Sequence, residues 1–334
     1  MRAVGYTRSL PVEDPDALLD LTVERAEPQG RDLLVEIRAV SVNPIDTKVR
    51  KRADPKGTPK ILGYDAAGVV AAVGSNARLF QPGDAVFYAG SIARSGTNAE
   101  FHLVDERIVG RKPKTLGFAA AAALPLTSIT AWEMLFDRLR IPRGAGDGTL
   151  LLIGSGGGVG SIAIQLARRL TGLKVIATAS RPATQDWARE LGAHAVIDHS
   201  RPMAPQLADL GHRFVDYIFG INGTDQHYDA IAEVIAPQGK LGLIDDPEAF
   251  DVKKLKPKSA SIHWESMFTR AVFQTPDMEE QHRLLDAVAG MVELGELRTT
   301  MTDTLGRINA SNLRHAHALI EGGRTRGKLV LEGF

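Results

Sequence analysis

The residues with the most chemistry in them run from Leu150 to Ala167: Leu-Leu-Leu-Ile-Gly-Ser-Gly-Gly-Gly-Val-Gly-Ser-Ile-Ala-Ile-Gln-Leu-Ala. The apolar run 150–153 reads as a buried strand, and Val159, Ile162, Ala163, Leu166 and Leu170 share one face of a helix. Between them lies a glycine cluster: Gly154, Gly156, Gly157, Gly158 and Gly160. A strand, a glycine turn and a helix start present free backbone N–H groups and a positive helix end to a pyrophosphate. Glycine is required there because a Cβ would obstruct both the turn and the close approach of the phosphate. The spacing departs from G-x-G-x-x-G: counting back from Gly160 through Gly157, the first slot holds Ser155. The flanking strand and helix nevertheless supply the context that makes such a loop a dinucleotide site, the alternative being a turn that only packs helix on sheet.

The next strand, 174–178, selects the nucleotide. An NAD site carries Asp or Glu at the end of this strand to hold both ribose hydroxyls. Here it runs out as Ala177-Thr178-Ala179-Ser180-Arg181, without a carboxylate. A small hydroxyl followed by a guanidinium suits a 2′-phosphate, because arginine offers a planar fork of donors and a permanent charge. The cofactor expected is therefore NADPH. The competing reading is a solvated arginine before Pro182 at a helix start.

The elements around this core divide the chain. Residues 33–42, 66–73, 85–88 and 98–104 alternate or are β-branched, so the first third is strand-rich. Residues 118–139 turn helical, with Pro125 inside. Strands and helices then alternate (185–191, 195–198, 214–219, 240–245), the signature of a parallel sheet. Helices at 278–294 and 310–321 follow, the latter ending at Gly322-Gly323 with a left-handed cap, and a final strand at 328–331.

Composition narrows the function classes. The 334 residues suit about two domains. Forty basic residues balance forty acidic ones, which argues against nucleic-acid or membrane-surface binding by global charge. The sequence shows no signal-peptide pattern and no apolar run taken as long enough to span a bilayer, so a cytoplasmic protein is expected. With no cysteine, disulfides, iron–sulfur clusters, thiolate catalysis and cysteine-ligated zinc are all excluded. Among the nine histidines, His315 and His317 are two apart on a helix and point to different faces, and no H-E-x-x-H pattern occurs.

Further motifs occur in a telling order: Ser41-Val-Asn-Pro-Ile-Asp46, Ile61-Leu-Gly-Tyr-Asp-Ala-Ala-Gly68, Gln81-Pro-Gly-Asp-Ala-Val86, Ala123-Leu-Pro-Leu-Thr-Ser-Ile-Thr-Ala131 and Gly327-Lys-Leu-Val-Leu331. Together with the glycine loop they resemble the medium-chain dehydrogenase/reductase superfamily, within it the zinc-free quinone oxidoreductase branch and the bacterial zinc-type alcohol dehydrogenase-like proteins. The resemblance spans the chain. It implies an α/β protein with a GroES-like β-barrel domain at 1–126, completed by 272–334. A Rossmann NADP(H)-binding domain, a doubly wound parallel sheet, is inserted at 127–271. An active-site cleft and a homodimer built through the Rossmann domains are implied as well.

The departures from the zinc enzymes are informative. Where they carry a cysteine in the first motif and a His-Glu pair in the second, this chain has Asn43 and Tyr64-Asp65. An amide and a neutral phenol are poor zinc ligands, and the four-cysteine lobe is missing, so no zinc is expected. Without a metal to stabilise an alkoxide, hydride transfer remains feasible to acceptors that delocalise charge, namely quinones and α,β-unsaturated carbonyls. Alcohol or aldehyde oxidoreduction, or NADPH binding with little turnover, are the alternatives.

By matched position, Asn43, Asp46 and Tyr64 are the catalytic candidates. Asn43 would donate an amide N–H to a substrate oxygen, Asp46 would orient a neighbour such as Tyr64, and Tyr64 would donate its hydroxyl to the developing oxyanion. The competing roles are an Asx turn at Asn43-Pro44 and a space-filling ring at 64. The cofactor-binding candidates are Thr127 and Thr130 on the nicotinamide side. Ser155, Gly157, Gly158, Val159 and Gly160 would line the pyrophosphate, and Ser180 and Arg181 would take the 2′-phosphate together with His199, which matches a position near the adenosine. Asn222 would border the ribose, Leu243 and Ile244 the nicotinamide, and Lys328 belongs to the terminal Gly-Lys pair. The segments 50–60, 92–98 and 259–274 are the candidates for shaping the substrate pocket; the last carries Trp264, Phe268 and Phe273, planar enough for an aromatic acceptor, but the reading preferred for these three is dimer interface or core.

Overall fold

The computed structural model describes residues 1–144 and 146–334. The chain divides into two compact units: Met1–Ile129 with Phe268–Phe334, and Thr130–Met267.

The first unit is built on the long strand Asp32–Ser41, whose apolar positions face both a neighbouring strand and the core. It pairs antiparallel with Ala66–Val73, with Phe101–Asp105 and, near its end, with Lys328–Glu332. Further strands, Ala85–Tyr88 and Val109–Arg111, extend one side, and Met301–Thr304 the other. Arg2–Tyr6, Leu19–Thr22 and Lys60–Ile61 form a small antiparallel sheet. Leu33, Val35, Val40, Tyr88, Val104, Leu313 and Leu331 belong to one buried cluster, so strands and the helix Ala310–Glu321 share a core. This is the GroES-like architecture.

The second unit is a six-stranded, all-parallel sheet. Its order is Ala195–Ile197, Lys174–Thr178, Thr149–Ile153, Val215–Gly220, Ile235–Leu243, Ser261–Trp264. Numbered along the chain this is 3-2-1-4-5-6, the doubly wound order whose switch point lies at the first strand. Thr149–Ile153 is wholly buried, as a central parallel strand covered on both faces must be.

Three expectations need correction. The helical stretch 118–139 is three helices, Phe118–Ala122, Pro125–Trp132 and Glu133–Arg138, and Pro125 begins the second because its missing N–H and fixed φ suit a first turn. Phe118–Arg138 is, by length and composition, apolar enough to cross a bilayer, contrary to the reading that no such run exists; 83 % of its most apolar window is buried inside the fold, which makes it a core element. Residues 261–264 are not a substrate loop but the edge strand of the parallel sheet. The left-handed cap expected at Gly322-Gly323 is present: Gly322 keeps right-handed geometry and Gly323 takes the left-handed one, φ +64°.

Candidate functional site

In the first unit, Asn43 caps the helix Pro44–Arg52, its extended backbone (φ −125°, ψ 156°) turning into Pro44 at the first helical position. Three residues on, the Asp46 carboxylate accepts the Asn43 N–H at 2.7 Å, the return half of a capping box. Its other oxygen accepts the Gly63 N–H at 3.0 Å. Asp46 thus pins the segment carrying Tyr64 to the start of the helix. Its carboxyl is fully buried and pushed up to about 7, first by burial and also by the like charge of Asp65; the two N–H groups and Lys328 pull it back.

Asp65 is the residue that matched positions undervalued. One carboxylate oxygen accepts the Leu126 N–H at 2.8 Å. The other accepts the Asn43 amide at 2.8 Å and the Lys328 ammonium at 3.1 Å. Lys328 also donates to Val42 O at 2.9 Å and to Asn43 Oδ1 at 2.5 Å, so its three donors are engaged within this network. Burial pushes the Asp65 carboxyl up, and Lys328, the Leu126 N–H and the Asn43 amide oppose that shift. The signal was present in the sequence as an acidic residue beside Tyr64; its partner Lys328 lay 263 positions away.

The Tyr64 hydroxyl is buried and, among the described residues, has no hydrogen-bond partner. The ring packs edge-on against Phe268, centroids 5.4 Å apart. Burial, with the nearby charges of Asp46 and Tyr6, raises its pKa, so the phenol is a neutral donor. Asp46 spends both oxygens on backbone N–H groups and makes no hydrogen bond to Tyr64. Asn43 directs its amide N–H groups to Asp65 and, at 3.4 and 3.5 Å, toward Ser41 O and Tyr64 O. Thr127 is buried in this unit and donates to Leu124 O; Thr130 is buried in the other.

In the second unit, the glycine loop joins Thr149–Ile153 to the helix Gly158–Leu170. Gly157 is the N-cap and offers no side-chain cap, and a Cβ built on it would meet nothing within 4 Å. The helix therefore opens with unsatisfied N–H groups on an uncrowded side, as an anion cradle requires. Gly160 must lack a Cβ, which would lie 2.4 Å from Ser155 O. Ser155 is buried, and its hydroxyl donates to Thr178 O at 2.8 Å. Thr178 Oγ1 accepts the Gly154 N–H at 3.1 Å. Gly154 sits at φ +83°, and a Cβ there would strike the Asn222 amide at 1.9 Å. Val159 is half-buried in the first helical turn.

Ser180 and Arg181 are exposed beyond the second strand, Arg181 capping the helix Pro182–Glu190. His199 Nδ1 stands 3.1 Å from Thr178 Oγ1. Asn222 is exposed, while Leu243 is buried and Ile244 donates its N–H to Gly220 O at 3.3 Å. Sequence reasoning missed two features of this unit. Glu265, just past the edge strand, is buried, paired with Arg138 at 2.6 Å and pushed up to about 9 by burial and then by Glu133. His227 stacks edge-to-face on His199.

These features coincide with two known domains. The alcohol dehydrogenase GroES-like domain matches residues 29–126, and the zinc-binding dehydrogenase domain matches 158–285. A zinc-type alcohol dehydrogenase-like protein of Staphylococcus aureus is 38 % identical, over 99 % of each chain. The 2-methylene-furan-3-one reductase of Solanum lycopersicum is 37 % identical over 99 % of this chain and 79 % of its own. A crystal structure from Rhizobium etli, of a protein described as a candidate zinc-dependent alcohol dehydrogenase, is 58 % identical with a TM-score of 0.97, covering 100 % of this chain and 98 % of that one.

The zinc in those descriptions does not fit the residues here. Asn43 Oδ1 and Asp65 already hold the Lys328 ammonium, so a cation stands among them. The remaining group is a neutral phenol, and no group of three or more His, Cys, Asp or Glu side chains among the described residues could hold a metal. A GroES-like unit, a 3-2-1-4-5-6 parallel sheet with an open glycine loop, and full-length relatives at this identity lead to one assignment: the chain is an oxidoreductase-family protein of the medium-chain dehydrogenase/reductase superfamily, grouped with the zinc-type alcohol dehydrogenase-like proteins.

Proposed function

We propose that the protein transfers hydride from NADPH to an α,β-unsaturated carbonyl or a quinone, without zinc. The observation that carries this reading is the buried Tyr64 hydroxyl, which has no hydrogen-bond partner among the described residues; the next residue, Asp65, holds the Lys328 ammonium. A buried donor left unsatisfied is costly, and it is tolerated where a ligand atom supplies the missing acceptor. Reduction of an enone or quinone places negative charge on the carbonyl oxygen, and a neutral phenol is suited to receive it. The bound dinucleotide supplies the hydride. Asn43, Asp46, Asp65 and Lys328 act as positioning residues: they fix the segment that carries Tyr64 through a buried network of backbone and side-chain hydrogen bonds. The open Gly157 helix start supports binding of the pyrophosphate, and Ser180 with Arg181 supports a 2′-phosphate. The reductase name of the tomato relative denotes a ketone conjugated to a methylene group, in keeping with this acceptor class. A cytoplasmic homodimer belongs to the same reading.

The test is NADPH oxidation by metal-stripped protein with a panel of enones, ortho- and para-quinones, with NADH and simple aldehydes as controls. Turnover with enones or quinones and NADPH, undiminished by chelator, is expected. Tight NADPH binding without turnover of any acceptor would replace this reading with that of an NADPH-binding protein.

A further inference from the structure

Two imidazoles meet at the strand ends beside the glycine loop. His199 follows Ala195–Ile197, and His227 lies in the first turn of the helix Thr224–Val234. Their centroids are 5.4 Å apart, with planes at 65°. They arrive from opposite flanks of the sheet's switch point. Ala195–Ile197 lies beyond Lys174–Thr178, whereas Val215–Gly220, which leads into the helix of His227, lies on the other side of Thr149–Ile153. The pair therefore spans the ends of the strands that carry Gly154 and Thr178.

The two rings have nitrogens to spare. His199 is anchored through Nδ1 to Thr178 Oγ1, the same oxygen that accepts the Gly154 N–H, which leaves its Nε2 unused. Among the described residues the His227 ring makes no hydrogen bond, its ring contact being His199. Both rings are half-buried, and Ser180 and Arg181 follow Thr178 by two and three residues. Among the described residues three imidazole nitrogens of the pair make no hydrogen bond, and His199 is tied to Thr178, the last residue of the strand that Ser180 and Arg181 follow; imidazoles and a guanidinium are the donors a phosphate takes.

His199 is expected at the 2′-phosphate from the family resemblance; we propose that His227 joins it there and that the imidazole pair takes up a proton when the phosphate dianion binds. This rests on the NADPH reading above. In the free protein burial holds both imidazoles below their ordinary pKa, and His199 adds to this at His227. Asp198 opposes the shift at His199, and Asp245 at His227. Asp245 is itself occupied by the Thr224 N–H and hydroxyl, at 2.8 and 2.6 Å. Further charged groups in these segments are Arg181, Arg201, Asp246 and Asp225, the last accepting the Glu248 N–H. A dianion brought to the pair favours the imidazolium form, so affinity for the phosphorylated cofactor rises as pH falls.

Dissociation constants of NADPH and NADH for the full chain, from pH 6.5 to 8.5, test this in wild type, His199→Asn and His227→Asn. NADPH binding should weaken by about threefold to tenfold per pH unit, tenfold being the one-proton limit, with NADH binding flat. His227→Asn should flatten the NADPH profile while keeping the preference for NADPH. Calorimetry of the wild type in two buffers of different ionisation heat gives a check that needs no variant: proton uptake with NADPH and none with NADH. A preference for NADPH with a flat profile and no proton uptake overturns the role of the pair and leaves the cofactor reading standing. Equal affinity for both cofactors overturns the cofactor reading, and the pair with it.

Discussion

The Lys328 ammonium stands 3.1 Å from the Asp65 carboxylate, and both side chains are sealed from solvent. The pair joins the last strand of the first unit to the segment after Lys60–Ile61, and Asn43 bridges the two by accepting from one and donating to the other. Because both charges are desolvated, the stake lies less in the pair itself than in what its loss exposes. Lys328→Met should destabilise the protein by about 3–5 kcal/mol, since it strands a buried carboxylate, and adding Asp65→Asn should recover much of that. Urea unfolding of the two variants measures both; a single-variant loss below about 1 kcal/mol would mean that the network relaxes around a lone carboxylate.

Tyr64→Phe separates stability from chemistry. Removing an unpartnered buried hydroxyl should leave stability unchanged or raise it by up to about 1 kcal/mol. The same change should lower kcat with an enone by about tenfold to a hundredfold and leave the NADPH KM within about twofold. An unaltered kcat would return Tyr64 to the role of a space-filling ring.

Asp46 gives a signed pH dependence. Its pKa in the folded state, about 7, lies above that of an unfolded aspartate, so between about pH 4 and 7 the native state binds more protons than the unfolded one. Its contribution therefore falls as pH rises through that window. Groups elsewhere are shifted the other way, Glu100 by the Arg2 N–H and Asp277 by the Thr275 hydroxyl, so only a difference isolates it. Asp46→Asn should gain stability relative to wild type by roughly 1–3 kcal/mol as pH is raised from 5 to about 7.5. Parallel denaturation curves for the two proteins across that range would count against a protonated Asp46.

Arg181→Ala should raise the NADPH KM by about tenfold and leave the NADH KM within about twofold, because a guanidinium fork acts on the 2′-phosphate alone. Equal losses with both cofactors would place Arg181 in helix capping instead.

Much of the second unit was legible from local pattern. The strand 174–178 falls where its apolar run placed it, and the first strand begins one residue earlier, at Thr149. A parallel core strand is written as a continuous apolar run, and a dinucleotide loop as glycines flanked by strand and helix. The edge strand Ser261–Trp264 was not legible: four residues with Trp264 half exposed carry no continuous apolar run and read as loop. In the first unit, the motifs singled out Asn43, Asp46 and Tyr64, yet their wiring was not legible. Asp46 is bonded to backbone N–H groups, and Asp65 is bonded to a lysine at the far end of the chain; sequence shows neither which backbone groups a carboxylate will meet nor which distant strand will arrive beside it. His227 escaped for the same reason, since its meaning lies in a neighbour from another βα unit.

The strand Lys328–Glu332 sits between Met301–Thr304 and Asp32–Ser41. A ribosome releases Asp32–Ser41 long before that neighbour exists, so the first unit has to wait with an unpaired strand edge while the rest of the chain is made. The second unit, Thr130–Met267, is contiguous and can close on itself during that interval. Folding order thus departs from sequence order, with the parallel sheet of 130–267 complete first and the Tyr64 network assembled only when Lys328 emerges. Ribosome-stalled chains ending after Met267 should accordingly resist protease across 130–267 while the residues before them are still cut.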